Sequence, residues 1–154
     1  MLRSYLIGLA AGQRGIVPLA ALAAAGRRGA LDEDMPLASL FKHPLIAGGA
    51  VALSAAEMAG DKQKTAPDRI VPIGLAVRSI TSAYAGAAVA PKGQRVTGAA
   101  IALGTALATS WIGWKLRVTA MERYGQTATG FVEDALMLAT GLAAADPRLV
   151  KHAA

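Results

Sequence analysis

The chain has no cysteine among its 154 residues. That excludes disulfide staples, thiolate metal ligands and cysteine nucleophiles together. Histidine is scarce too. His43 and His152 both lie outside the apolar stretches. A metal would have to be held by carboxylates, which suits hard cations and not zinc or copper. The chain also lacks GxSxG, HExxH and a glycine-rich phosphate loop with its lysine. The expectation is therefore a non-enzyme with no cofactor and no metal. Charge is scarce as well, at 17% of residues, where a soluble domain carries about a quarter.

What is present is apolar. Hydrophobic residues make up 54% of the chain, and the mean hydropathy is +0.41. Disorder is excluded, because it needs low hydrophobicity and high charge. The length fits one domain. The net charge is +6 and the pI about 10.1. The basic residues sit between apolar runs and not along one polar helix face. Anionic lipid headgroups account for them, and nucleic acid is not expected as a partner.

Five apolar stretches stand out: 2–25, 44–60, 70–90, 96–114 and 130–145. About 20 helical residues cross a bilayer core of about 30 Å. The first, third and fourth stretches reach that length, and the second and fifth sit at its lower limit. Their alanine and glycine make each only mildly apolar, so a soluble helical bundle is the competing class. The stretches carry no polar stripe at helical period, which the surface helices of such a bundle need. Gly8 with Gly12, and Gly48 with Ala52, are small-residue pairs that let membrane helices approach closely. Trp111 and Trp114 sit at the end of a stretch, where an aromatic belt would place them. The expected fold is all-α: a single multi-pass membrane bundle of about five transmembrane helices.

The first stretch looks like a signal peptide, with Arg3, an apolar run and Ala21-Leu22-Ala23. Gln13, Arg14 and Gly15 interrupt its centre, so a retained helix is expected. Pro18 removes a backbone donor and clashes with the Arg14 carbonyl, which predicts a break there. Residues 36–43 (PLASLFKH) read as an interfacial segment before Pro44 opens the second helix. Residues 61–69, 91–95 and 115–129 read as polar connections. With five crossings the basic residues divide seven against seven between the two sides, so the positive-inside rule gives no orientation.

A faint duplication runs through the chain. At an offset of 64, Arg14, Ile16, Ala21 and Ala23 fall on Arg78, Ile80, Ala85 and Ala87. At an offset of 50, Ala50-Val51-Ala52-Leu53 falls on Ala100-Ile101-Ala102-Leu103. Repeats over 1–65 and 66–128 are expected, with an extra helix over 129–146. Two helices per unit would make the repeats parallel. An odd number of crossings, supplied by a broken first helix, would invert them.

Charges inside the apolar stretches mark candidate sites, since a central membrane charge costs at least ~2.5–3.5 kcal/mol. Arg14 and Arg78 could form an anion site for phosphate or carboxylate. In the plainer reading Glu57, Glu133 or Asp134 neutralise them and lock the bundle. Glu133 and Asp134 fall in the first turn of the fifth stretch, where they would favour the helix dipole. Glu57, with Asp61 one turn later, fits either a proton-titrating carboxylate or an acid that reaches interfacial water.

The run Glu57–Lys62 (EMAGDK), then Pro67, Arg69, Pro72 and Arg78 with a small-residue helix through Gly86, then Val132-Glu133-Asp134-Ala135, resembles an uncharacterised bacterial membrane family. This family is domain of unknown function 4126, and Arg14 with Pro18-Leu19 is similar to it too. Gln63-Lys64 departs from its pattern. The resemblance implies a small bacterial inner-membrane protein and supplies no activity, cofactor or catalytic residue. The expected function is transport, channel or lipid handling for an anionic solute or a phosphate-bearing lipid, as a homo-oligomer in the bilayer. The alternative is a structural or assembly factor that binds other membrane proteins.

Overall fold

The computed structural model describes residues 1–62, 70–146 and 148. Gln63, Lys64, Pro67, Arg69 and His152, named above, lie outside the described residues, as does most of the expected 61–69 connection. Within them every regular element is an α-helix: α1 Leu2–Gln13, α2 Val17–Arg27, α3 Ala38–Lys42, α4 Pro44–Gly60, α5 Pro72–Ala88, α6 Arg95–Tyr124 and α7 Gln126–Ala145.

The first apolar stretch is two helices, not one rod. Arg14 leaves the helix in an extended conformation, and α2 restarts with Pro18 near its beginning. Proline tolerates that place because its missing N–H would be unpaired there anyway. The two helices fold back on each other. Arg3 at the start of α1 donates to the Ala144 and Ala145 carbonyls at the end of α7. Arg14 at the tip reaches Asp134 in the middle of α7. Arg28, just beyond α2, returns to Asp146 at 3.7 Å. Each arm is only about 17 Å long at 1.5 Å per residue, short of a bilayer core.

The later helices alternate in direction around this hairpin. α4 starts beside the end of α2, where the Phe41 backbone packs on Gly26, and ends with Glu57 at the hairpin tip. α5 returns. The Thr81 hydroxyl donates to the Gly15 carbonyl, and Gly86, one helical stretch later, accepts from Ser4. α6 runs away from Ser4 to Arg117, and α7 comes back from Gln126 to Arg3. One face of the bundle therefore holds residues 1–3, the 28–43 connection, the 89–94 turn and Asp146. α2 and α5, paired by the offset of 64, run the same way, and so do α4 and α6, paired by the offset of 50.

Two boundaries differ from the expectation. Residues 115–129 are not a polar connection: α6 continues to Tyr124, and Gly125 alone, at φ 81°, turns the chain into α7. The sequence obscured this because Lys115, Arg117, Glu122 and Arg123 look like a loop. α7 thus begins at Gln126, and Glu133 and Asp134 sit in its third turn. They are not first-turn acids at its dipole.

α1 is the centre of the bundle, and small residues let it be. Its buried residues include Gly8, Ala11 and Gly12. α6 meets it with Gly98, Ala102, Ala106 and Ser110, four positions apart each time. A Cβ on Gly8 or Gly86 would lie 2.6 Å from a facing carbonyl oxygen. Hydroxyl and amide groups cross these contacts. Ser110 donates to the Gly12 carbonyl at 3.1 Å, and Gln13 to that of Thr109 at 2.7 Å. Gly86→Val should therefore cost ~1–3 kcal/mol by overpacking. Gly48→Val, with open space around it, should leave the melting temperature in detergent unchanged.

The connections of the first face are tied together by exposed and half-buried charges. Arg95 pairs with Asp32 at 2.7 Å, Lys92 with Asp34 at 3.1 Å, and Lys42 with Glu33 at 2.7 Å. For Asp32, desolvation works against ionisation, but hydrogen bonds from the Asp34 N–H, Lys92 and Arg95 outweigh it and hold the carboxyl below its ordinary value. A depressed native value gives stability that is present above the unfolded value and lost as pH falls through the native one. The melting advantage of wild type over Asp32→Asn should persist at neutral pH and shrink progressively once the pH falls below about 4, the ordinary aspartate value.

Candidate functional site

The hairpin tip is where the buried charges meet. Arg14 is 1% exposed. Its guanidinium spans three carboxylates: Asp61 at 2.6 Å, Asp134 at 2.6 Å and Glu133 at 3.5 Å. Two further cations close the network. Lys62 bonds Asp134, and Arg117 bonds Asp61 and, at 3.0 Å, Glu133. Arg117 also donates to the Asp61 carbonyl at 2.9 Å, and Lys62 to that of Met58 at 2.9 Å. Three cations and three carboxylates thus sum to zero. Isolated burial of any one would cost several kcal/mol, and the pairing is what makes the cluster tolerable.

The six members come from four places: Arg14 from the hairpin, Asp61 and Lys62 from just past the end of α4, Arg117 from α6, and Glu133 and Asp134 from α7. The site therefore joins one turn of each to the tip. The Lys62 ammonium also lies 4.5 Å over the Phe131 ring centroid, a cation–π contact.

Glu57 does something different. Its two carboxylate oxygens accept from the Gly15 N–H at 2.8 Å and the Ile16 N–H at 2.9 Å. These are the groups that open α2, where the aligned peptide dipoles favour negative charge. The Thr81 hydroxyl takes the Gly15 carbonyl at 2.6 Å. The tip's backbone is thereby satisfied although no helix provides for it. Arg78 is buried beside this cap. Its Cγ and Glu57 Oε1 are the neighbours that a side chain on Gly15 would meet, at 3.2 and 3.5 Å.

The sequence-predicted residues therefore gather in two adjoining groups. Arg14, Asp61, Glu133 and Asp134 form the network, and Glu57 and Arg78 flank Gly15. Lys62, Arg117 and Gln13 belong to the site and were missed. Arg117 had a usable signal. It continues the buried face Gly98, Ala102, Ala106, Ser110 by two further turns, which a loop would not do.

Beside the network lies a groove of about 600 Å³ between the second half of α6 and the first half of α7, lined by Leu116, Ala120, Tyr124, Val132 and Leu136. Arg117, Glu133 and Gln13 form its polar wall. No grouping of His, Asp and Glu suited to a metal ion occurs among the described residues. No family model, no curated protein and no solved structure matches this chain.

Replacing Asp134 by Ala leaves Arg14 and Lys62 with fewer counter-charges and should cost ~3–5 kcal/mol, read by denaturation in detergent. Asp34→Ala, on the exposed rim, should lie within error of wild type.

Proposed function

We propose that the protein is a multi-pass protein of a bacterial inner membrane. Its four crossing helices would be α4, α5, α6 and α7, with α1–α2 entering from one face as a re-entrant hairpin. The observation that carries this reading is an inversion of polarity. Across α4, α5, α7 and α6 as far as Trp114, no exposed side chain beyond Arg95 is charged, while Arg78 and Asp134 are buried. Outward instead point Leu45, Ile73, Val96 and Phe131, each more than half exposed. Soluble monomers rarely present contiguous apolar surface of this extent. α6 and α7 are long and apolar enough to cross a membrane, and α4 is a shorter apolar helix. Helices of 17 residues, such as α4 and α5, fit a locally thinned bilayer.

The hairpin also removes the tie in basic residues. Arg3 now counts with Arg27, and among the described residues, Arg14 and Arg78 apart, the division is seven (Arg3, Arg27, Arg28, Lys42, Lys92, Arg95 and Arg148) against four (Lys62, Lys115, Arg117 and Arg123) in favour of the face that holds the hairpin's two ends. That face is assigned to the cytoplasm. The resemblance to domain of unknown function 4126 agrees with an inner-membrane location.

Within this frame the chain handles an anionic molecule, either a solute or a phosphate-bearing lipid, as a homo-oligomer and without catalysis. The support is local: the start of α2 already holds a carboxylate, Glu57, beside the buried Arg78. Broken helices aimed at anions inside a bundle recur in membrane transporters. A second reading, an assembly factor for other membrane proteins, is favoured by α4. Its face of Gly48, Ala52 and Ala56 is exposed, with open space around Gly48.

Purified protein in liposomes separates the two. Phosphate efflux or lipid scrambling that Arg78→Ala and Glu57→Gln abolish, without change in melting temperature, supports handling of an anion. Inactive wild-type liposomes, with a second membrane protein retained on α4 until Ala52→Leu releases it, support assembly.

A further inference from the structure

The start of α2 offers more donors than a carboxylate uses. Glu57 takes the N–H groups of Gly15 and Ile16, at 2.8 and 2.9 Å. The first N–H groups of a helix have no acceptor inside it. The next donor along is therefore that of Val17, which is wholly buried. Pro18 brings none. The two oxygens of the planar Glu57 carboxylate are already committed to Gly15 and Ile16.

A further donor faces the same turn from α4. Ser54 is 4% exposed, and its hydroxyl has no hydrogen-bond partner among the described residues. It lies three residues before Glu57, on the inner face of α4 with Ala47 and Ala50. That face packs on α2. The two helices run in opposite directions, since Glu57 meets the start of α2 and Phe41 meets Gly26 near its end. Ser54 therefore stands about 4.5 Å further along α2 than Glu57, at 1.5 Å per residue. That is the level of residues 17–19, the first turn. An unpaired buried hydroxyl is costly, and here it points to a ligand oxygen. Arg78 adds positive charge. It is buried on α5, and its Cγ borders Gly15 together with Glu57 Oε1. Backbone N–H groups at a helix start, a hydroxyl and a guanidinium are the donor set of a tetrahedral oxyanion.

We propose that the start of α2 is a phosphate-binding site that Glu57 occupies as a tethered stand-in. The phosphate takes over the Gly15 and Ile16 N–H groups and adds the Ser54 hydroxyl and the Val17 N–H. Arg78 balances its charge. Glu57 is half-buried, so its carboxylate has a way out. Two anions repel each other too strongly to share the site, so the returning carboxylate expels the phosphate. Glu57→Gln then loses efflux because phosphate is not released, while its binding rises. This ligand belongs to the site of the anion-handling reading above, and it rests on that reading for any role in flux.

The test titrates the full chain, purified in dodecyl maltoside, with inorganic phosphate at neutral pH by calorimetry. Glu57→Ala should bind phosphate at least about tenfold more tightly than wild type, because the tethered competitor is gone. It should bind acetate less tightly than phosphate. Adding Ser54→Ala should weaken phosphate about tenfold, through loss of one hydrogen bond to a charged group, and leave acetate unchanged. If circular dichroism shows that Glu57→Ala does not fold, Glu57→Gln takes its place. Phosphate bound no more tightly than by wild type overturns the site. Acetate bound as tightly as phosphate, or phosphate indifferent to Ser54→Ala, overturns the tetrahedral ligand. Dihexanoylphosphatidic acid as a second probe separates the sources. Tighter binding of the lipid assigns a headgroup, tighter binding of the free ion assigns a solute, and either supports the site. Phosphate binding by Glu57→Ala without efflux from wild-type liposomes would sink the transport reading and leave the site standing. Efflux that depends on Arg78, without such binding, would do the reverse.

Discussion

Arg14 can be buried only because three carboxylates from two other helices come to it. Much of the architecture follows from that requirement. Arg14 sits where Pro18 prevents the first helix from continuing, so the same residues that break the helix place a cation at the break. The break exposes backbone groups that α1 and α2 cannot pair internally. Glu57 takes two of the N–H groups and Thr81 takes a carbonyl. An ion-pair cluster of this kind adds little net stability over an apolar core, but it penalises any arrangement that separates its members. Its effect here is to fix where the hairpin stops and which turns of α4, α6 and α7 stand level with it.

The rest of the packing follows from size. A central helix that touches α5, α6 and α7 has little room for bulky side chains, and α1 buries Ser4, Gly8, Ala10, Ala11 and Gly12, with Ile7 and Gln13 the larger exceptions. In the bilayer we propose, helices would gain nothing from the hydrophobic effect between themselves, so close approach and interhelical hydrogen bonds would have to hold them. The alanine richness that weakens each apolar stretch as a hydropathy signal is thus the same property that lets the bundle close.

Much of this was legible in the sequence, and the gaps have physical causes. Pro44 and the apolar stretches 44–60 and 70–90 marked α4 and α5 to within a few residues. The break at Arg14 followed from Pro18. The reversal of direction at that break was not legible. A proline break is local, whereas antiparallel return depends on Arg3 and Arg28 both finding the end of α7. The extension of α6 to Tyr124 was missed because charges that face an internal network look, in one dimension, like charges in a solvated loop. The candidate residues were found for the right reason, charge in apolar surroundings, but their partners were not. Asp61, with Glu133 and Asp134, and not Glu57, neutralises Arg14, and Lys62 and Arg117 complete the set.

In the arrangement we propose, the α1–α2 hairpin dips into a bilayer and returns. The absence of native cysteine makes it directly testable. Single cysteines at Leu2, Arg27 and Tyr124, all exposed, can be labelled in intact and in opened membrane vesicles with an impermeant maleimide. Leu2→Cys and Arg27→Cys are expected to react from one side and Tyr124→Cys from the other. Leu2→Cys and Arg27→Cys reacting from opposite sides would make the first stretch a crossing helix. All three reacting in intact vesicles of either orientation would remove the bilayer altogether.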